Sequence, residues 1–121
     1  MIEKEINKTL KAIKGLKRIK NDILKVVDAV VECYINGGKV VLFGNGGSAA
    51  DSQHIAAEFV VRFQKNRKSL PAIALTVNTS ILTASGNDYG FKYIFSRQIE
   101  SMVSSDDVVI GISTSGKSIN V

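Results

Sequence analysis

Three short apolar runs constrain this chain most: Val40-Val41-Leu42-Phe43, Ala72-Ile73-Ala74-Leu75 and Val108-Val109-Ile110-Gly111-Ile112. Each is too short for a helix and carries no polar side chain, as expected of a strand buried on both faces. Helical patterns lie between them, from Ala49 to Phe63, Thr79 to Ala84 and Phe91 to Val103. Pro71 leads into the second run. Strands that alternate with helices imply βαβ units, and so a parallel sheet covered on both faces. The expected class is α/β. A right-handed crossover helix should follow the third strand, so the sheet reads as incomplete at its C-terminal end, Val121. The 121 residues suit one domain and show no repeat, low-complexity stretch or linker.

Residues 1–37 follow another period. Ile2, Ile6, Leu10, Ile13 and Leu16 recur at spacings of three and four, the mark of an amphipathic helix. A second helix is expected over Ile23, Leu24, Val27, Val30, Val31 and Tyr34. Asn21 or Asp22 should cap it, and Gly37-Gly38 should end it. The first apolar stripe is long for one domain to cover, so this segment is expected to pack against another subunit. Residues 38–121 form the first part of the α/β sheet.

Charge and composition narrow the function. The net charge is +5, of which residues 1–40 carry +4, nine Lys+Arg against five Asp+Glu. Those lysines fall on a helix without interleaved aromatics or a recognition motif, so a solvated face is expected rather than a nucleic-acid partner. Asp28 and Glu32 interrupt the best membrane-span candidate, Val26 to Ile35. The start, Met-Ile-Glu-Lys-Glu, lacks the apolar core of a signal peptide. One cysteine, Cys33, cannot form an internal disulfide, which suits a reducing compartment.

In open parallel sheets, ligands sit beyond the carboxyl ends of the strands. The first such loop is Gly44-Asn45-Gly46-Gly47-Ser48, whose glycines and following helix N-terminus suit an anion. Gly44-x-Gly46-x-x-Ala49 formally fits a dinucleotide fingerprint, but Thr76-Val77-Asn78 offers no acid for the ribose. The third loop, Ser113-Thr114-Ser115-Gly116-Lys117-Ser118, has four hydroxyls that can converge on phosphate oxygens. Gly111 through Ser118 also fits a nucleotide-binding P-loop, yet Gly111 lies inside the strand where such a glycine should open the loop. On the helix after the first loop, His54 and Glu58 are four apart and share a face. They suit proton transfer, metal ligation or a plain surface contact. In the middle loop, Asn87 and Asp88 stand within Gly86-Asn87-Asp88-Tyr89-Gly90. They either hold sugar hydroxyls or mark a glycine-flanked helix break.

Taken in order, four stretches resemble the sugar isomerase (SIS) fold and, within it, the phosphoheptose isomerases. They are Gly44 through Glu58, Leu70 through Thr76, Ile81 through Ala84 with Gly86 through Gly90, and Gly111 through Gly116. The resemblance covers the chain from Gly38 onward. It implies a three-layer, flavodoxin-like α/β fold with a parallel sheet flanked by helices, preceded by two N-terminal helices. It also implies a cytoplasmic homotetramer that converts sedoheptulose 7-phosphate to D-glycero-D-manno-heptose 7-phosphate, for bacterial surface heptose in the lipopolysaccharide core.

By that resemblance Asn45, Gly46 and Gly47 line the substrate, with Ser48 beside the phosphate. Asn87 and Asp88 contact the sugar, and Ser113, Thr114, Ser115 and Ser118 hold the phosphate. Glu58 is the acid/base, and His54 and Glu58 are zinc ligands in members that bind zinc. The family's chains continue past Val121 to a further catalytic histidine and a glutamine, so these 121 residues alone are expected to be inactive or nearly so. Lys117 stands where asparagine is common, and Asn78 where aspartate often stands. Two other classes share the fold, a non-catalytic factor that binds a replication initiator and a phosphosugar sensor. The first lacks a carboxylate at the Glu58 position. The second expects a DNA-binding motif that does not precede the sheet.

Overall fold

The N-terminal period does become helix. The computed structural model describes all 121 residues, in two units, Met1–Val31 and Glu32–Val121. In the first, α1 (Ile2–Gly15) passes through a 3-10 turn (Leu16–Ile19) into α2 (Lys20–Ile35), whose last turn belongs to the second. The backbone stays right-handed at the junction, with Leu16 at φ −58° and Lys20 at φ −49°. No free helix start is left there, so Asn21 and Asp22 are not caps. Asp22 instead takes the Lys25 ammonium at 3.2 Å. Ile2, Ile6, Leu10 and Ile13 are 48–77% exposed.

The second unit contains a three-stranded parallel sheet: β1 (Val40–Gly44), β2 (Ala72–Ala74) and β3 (Val108–Ile112), in the order β2-β1-β3. The register sets Val41 beside Ile73 on one flank and Val109 on the other. The central strand is almost wholly buried, with Val40, Val41 and Leu42 at 0% exposure. This is why its sequence is an unbroken apolar run.

Alternate residues of β1 face two helical layers. Val41 and Phe43 pack with Leu75, Ile94 and Phe95, where the Phe43 and Phe95 rings lie 4.8 Å apart. Burying each large side chain contributes about 1.5–3 kcal/mol. On the other face runs α3 (Gly47–Val60), which buries Ser48, Ser52 and Ala56 at four-residue intervals. Such small residues let the helix lie close. A β-carbon on Gly44 would sit 2.7 Å from that of Ser48. The buried Ser52 hydroxyl donates to the Ser48 carbonyl at 2.7 Å. Cover thins at the sheet edges, where Ile73 and Val109 are more than a third exposed.

Two buried polar groups tie the layers. The Gln98 amide, on α5 (Ser96–Met102), donates to the Leu75 and Ile94 carbonyls at 2.9 Å each. The Asp107 carboxylate accepts from the Lys39 backbone, the Lys39 ammonium and the Ser104 backbone at 2.6–2.9 Å. These contacts hold it well below the usual carboxylate range. They also join the entry ends of β1 and β3.

Three helix boundaries differ from expectation. α3 ends at Val60 rather than Phe63, because the Arg67 guanidinium takes the last-turn carbonyls of Glu58 and Phe59. α4 (Thr79–Asp88) runs on through Gly86. Gly90, at φ +102°, marks the real break. A 3-10 turn (Phe91–Tyr93) then precedes the shorter α5. Asn78 caps α4 by accepting the Ile81 N–H at 3.0 Å, a role aspartate fills equally well. No helix is long and apolar enough to cross a membrane.

Candidate active site

The strand order locates the site. From β1 the chain crosses to β2 on one side, then returns past β1 to β3 on the other. The crevice between the carboxyl ends of β1 and β3 is therefore the topological switch point, where open α/β sheets take ligands. The loops flanking it are Asn45–Ser48 and Ser113–Ser118.

Gly46 caps α3 at φ +54°, ψ −119°, a conformation a β-carbon would oppose. It turns the chain sharply, so that the first helical turn follows the strand at once. Across the crevice, the Ser113 hydroxyl lies 3.2 Å from that of Ser118 and 3.5 Å from that of Ser115. Ser113 also accepts the Gly116 N–H at 3.0 Å, and Ser115 that of Lys117 at 3.2 Å. Three hydroxyls and two backbone N–H groups thus gather within one turn. Rotated outward, the hydroxyls can donate to an anion, each bond to a charged group contributing roughly 1.5–3 kcal/mol. Thr114 is exposed beside them.

The two loops are joined by Asn120, which the motif reading did not single out. The Asn45 amide donates to the Asn120 oxygen at 2.7 Å, and the Asn120 amide donates back at 2.9 Å. Its one sequence signal is an amide two residues beyond the hydroxyl turn. Beside Asn45 and Gly46 opens a cleft of about 410 Å³, also lined by Thr76, Thr83, Gly86 and Phe95. Asn87 and Asp88 do not line it. They close the last turn of α4, and the Asn87 amide donates to the Asp88 carboxylate at 2.9 Å.

His54 and Glu58 do share a face of α3, with Nε2 3.2 Å from Oε1. They line a different cleft, of about 450 Å³, with Phe59, Phe63, Arg67 and Leu70. The two clefts have no lining residue in common. Glu58 is ten residues past Ser48 on the same helix, about 15 Å along its axis. The chain therefore gathers the expected phosphate turn and glycine turn, and sets the expected acid/base apart from both.

The zinc expectation meets a limit in the donor set. An imidazole nitrogen and a carboxylate oxygen are sound zinc ligands, but a site takes three or four from the protein. No three His, Cys, Asp or Glu side chains of this chain cluster suitably. These residues do not by themselves complete a zinc site. The P-loop reading fails as well, because Gly111 is inside β3 opposite Phe43. A β-carbon there would lie 3.2 Å from the Phe43 ring, so the glycine serves packing.

A family model described as "SIS domain" matches residues 3–121. The chain belongs to the SIS domain family. This SIS chain is 52% identical, over all its 121 residues, to "Phosphoheptose isomerase 1" of Campylobacter jejuni, covering 65% of that protein. It is 63% identical over 99 residues to the phosphoheptose isomerase of Clostridium acetobutylicum, covering 82% of this chain and 50% of the relative. The solved phosphoheptose isomerase of Neisseria gonorrhoeae superposes with a TM-score of 0.87 at 39% identity, covering 98% of this SIS chain and 62% of that one. A Francisella tularensis phosphoheptose isomerase superposes with a TM-score of 0.83 at 36% identity, covering 99% and 65%. The chain thus spans less than two-thirds of the length of these relatives.

Proposed function

We propose that the protein is an aldose–ketose isomerase that converts sedoheptulose 7-phosphate to D-glycero-D-manno-heptose 7-phosphate, in the cytoplasm, for bacterial surface heptose. One observation carries the reading: the hydroxyl turn Ser113–Ser118 is pinned beside the glycine turn Asn45–Ser48 at the switch point. This arrangement suits a sugar phosphate, with Ser113, Thr114, Ser115 and Ser118 on the phosphate and Ser48 beside it. Asn45, Gly46 and Gly47 meet the sugar. Asn87 and Asp88 are proposed to contact the sugar from the end of α4, next to Gly86 on the cleft wall. The family names of the relatives support the same substrate.

The reaction moves one hydrogen from C1 to C2 and one from the C1 oxygen to the C2 oxygen, with no net change of oxidation state. A base takes a proton from C1 of the ketose while the C2 oxygen gains one, giving a 1,2-enediol. A proton then returns to C2, the C1 hydroxyl gives up its own, and C1 becomes the aldehyde. Holding the phosphate fixes C1 and C2 against the base, a positioning effect that can contribute about 7–11 kcal/mol. Glu58 is the proposed base. Since it lies about 15 Å along α3 from the glycine turn, it is proposed to serve a substrate held by another copy's loops. The homotetramer proposed here brings the copies together, with the α1 stripe as part of the contact. Zinc, where bound, would take His54 and Glu58 as two ligands and the rest from outside these residues.

The test is Glu58→Gln in the protein as expressed from its own gene. Turnover of sedoheptulose 7-phosphate should fall about 10²–10⁴-fold, with the substrate's Kd within threefold. Unchanged turnover removes Glu58 from the role, and a protein that neither binds nor converts the substrate rejects the reading.

A further inference from the structure

We propose that Asn120 is a positioning residue: its paired amide bonds to Asn45 set the distance between the phosphate turn and the sugar-binding glycine turn. The inference rests on the sugar-phosphate reading above and adds a residue to it. Each amide donates to the other, at 2.7 and 2.9 Å, across 75 residues of chain. A reciprocal pair of this kind fixes two side chains in one plane, where a single bond would leave them free to swing. Each amide still has one N–H and one oxygen lone pair unspent, so Asn45 can meet the sugar without leaving Asn120.

The pair is placed where spacing matters. It spans the crevice between the ends of β1 and β3, with Asn120 just past Ser118. The Val121 N–H returns to the Ser118 carbonyl at 3.1 Å, turning the segment back. A β-carbon on Gly111 would lie 2.9 Å from the Val121 side chain, so this segment folds down onto β3. The hydroxyl turn is therefore held from below by the strand and from the side by Asn45. The pairing joins the two loops in advance, so less loop ordering is needed when a substrate bridges them.

The consequence is selective. A ligand that touches only the hydroxyl turn should not notice the loss of the pair. One that bridges both turns should. The experiment compares Asn120→Ala with Ser113→Ala in the protein as expressed from its own gene, with inorganic phosphate and sedoheptulose 7-phosphate as probes. Expected for Asn120→Ala is a KM for the heptulose phosphate raised about tenfold, with inorganic phosphate affinity within twofold of the parent. Ser113→Ala should weaken both probes alike. Should Asn120→Ala fail to fold, Asn120→Ser keeps a polar side chain but is too short for the paired bonds and adds no charge beside the phosphate turn. It should show the same selective loss.

Equal losses of both probes in the Asn120 variant would overturn the inference, because the residue would then act within the phosphate turn itself. So would KM and kcat within twofold of the parent while Ser113→Ala weakens binding. If Ser113→Ala weakens neither probe, the phosphate reading fails and this inference falls with it.

Discussion

Asp107 offers a sharp test of the fold's energetics, because its carboxylate is 2% exposed and accepts three hydrogen bonds. An asparagine in its place would keep the shape. It would lose the charge facing the Lys39 ammonium at 2.6 Å and turn an N–H toward a donor. Bonds to a charged group contribute roughly 1.5–3 kcal/mol each, and breaking a buried ion pair costs about 3–5 kcal/mol. Lys39 is one-third exposed and can recover water, so the lower figure applies: Asp107→Asn should lose about 3 kcal/mol at pH 7.

The pH dependence follows with a definite sign. The folded carboxyl titrates well below the unfolded value of about 3.9. Its stabilisation is therefore complete above about pH 5 and disappears as the pH falls through the acid range, at up to about 1.4 kcal/mol per pH unit. Urea melts of parent and variant from pH 7 down to pH 3 should draw closer by about 1 kcal/mol. A gap that stays constant with pH, or one under 1 kcal/mol at pH 7, refutes the argument.

Gly44→Ala should destabilise by about 1–3 kcal/mol as an overpacked site, since its β-carbon would lie 2.7 Å from the Ile112 carbonyl and the Ser48 side chain. Denaturant midpoints measure it, and a neutral change means that α3 can shift away from β1 at little cost. Tyr34 is pushed up to about 12, chiefly by burial, with Cys33 adding to the effect and Arg67 opposing it. Its ionisation should appear near pH 12 in an ultraviolet titration and be missing from Tyr34→Phe. Because the folded phenol holds its proton longer than the unfolded one, stability should drop between pH 10 and 12, and Tyr34→Phe should abolish that drop.

Much of this was legible beforehand, for identifiable reasons. β1 and β3 appear within a residue of expectation because uninterrupted apolar runs have few other uses in a chain this size. The strand-end rule then picked out both turns at the switch point. What escaped depends on contacts far apart in sequence. Arg67 decides where α3 stops, and nothing local to Val60 announces it. Gly86 looked like a break by propensity, but α4 runs through it and breaks only at Gly90. The Asn45–Asn120 pair spans 75 residues. The separation of Glu58 from the turns was available from helix rise alone, since ten residues at about 1.5 Å each cannot fold back on themselves.

Within these 121 residues β3 is paired on one side only, with β1, and its residues Val108–Ile112 carry neither charge nor proline. Natural rims are normally blunted by such residues, because an unguarded row of N–H and C=O groups templates the addition of another strand. Val109, well exposed next to the core, adds stickiness to that row. Preparations restricted to these residues should therefore assemble edge to edge as concentration rises, and a lysine at Val109 should keep them dispersed.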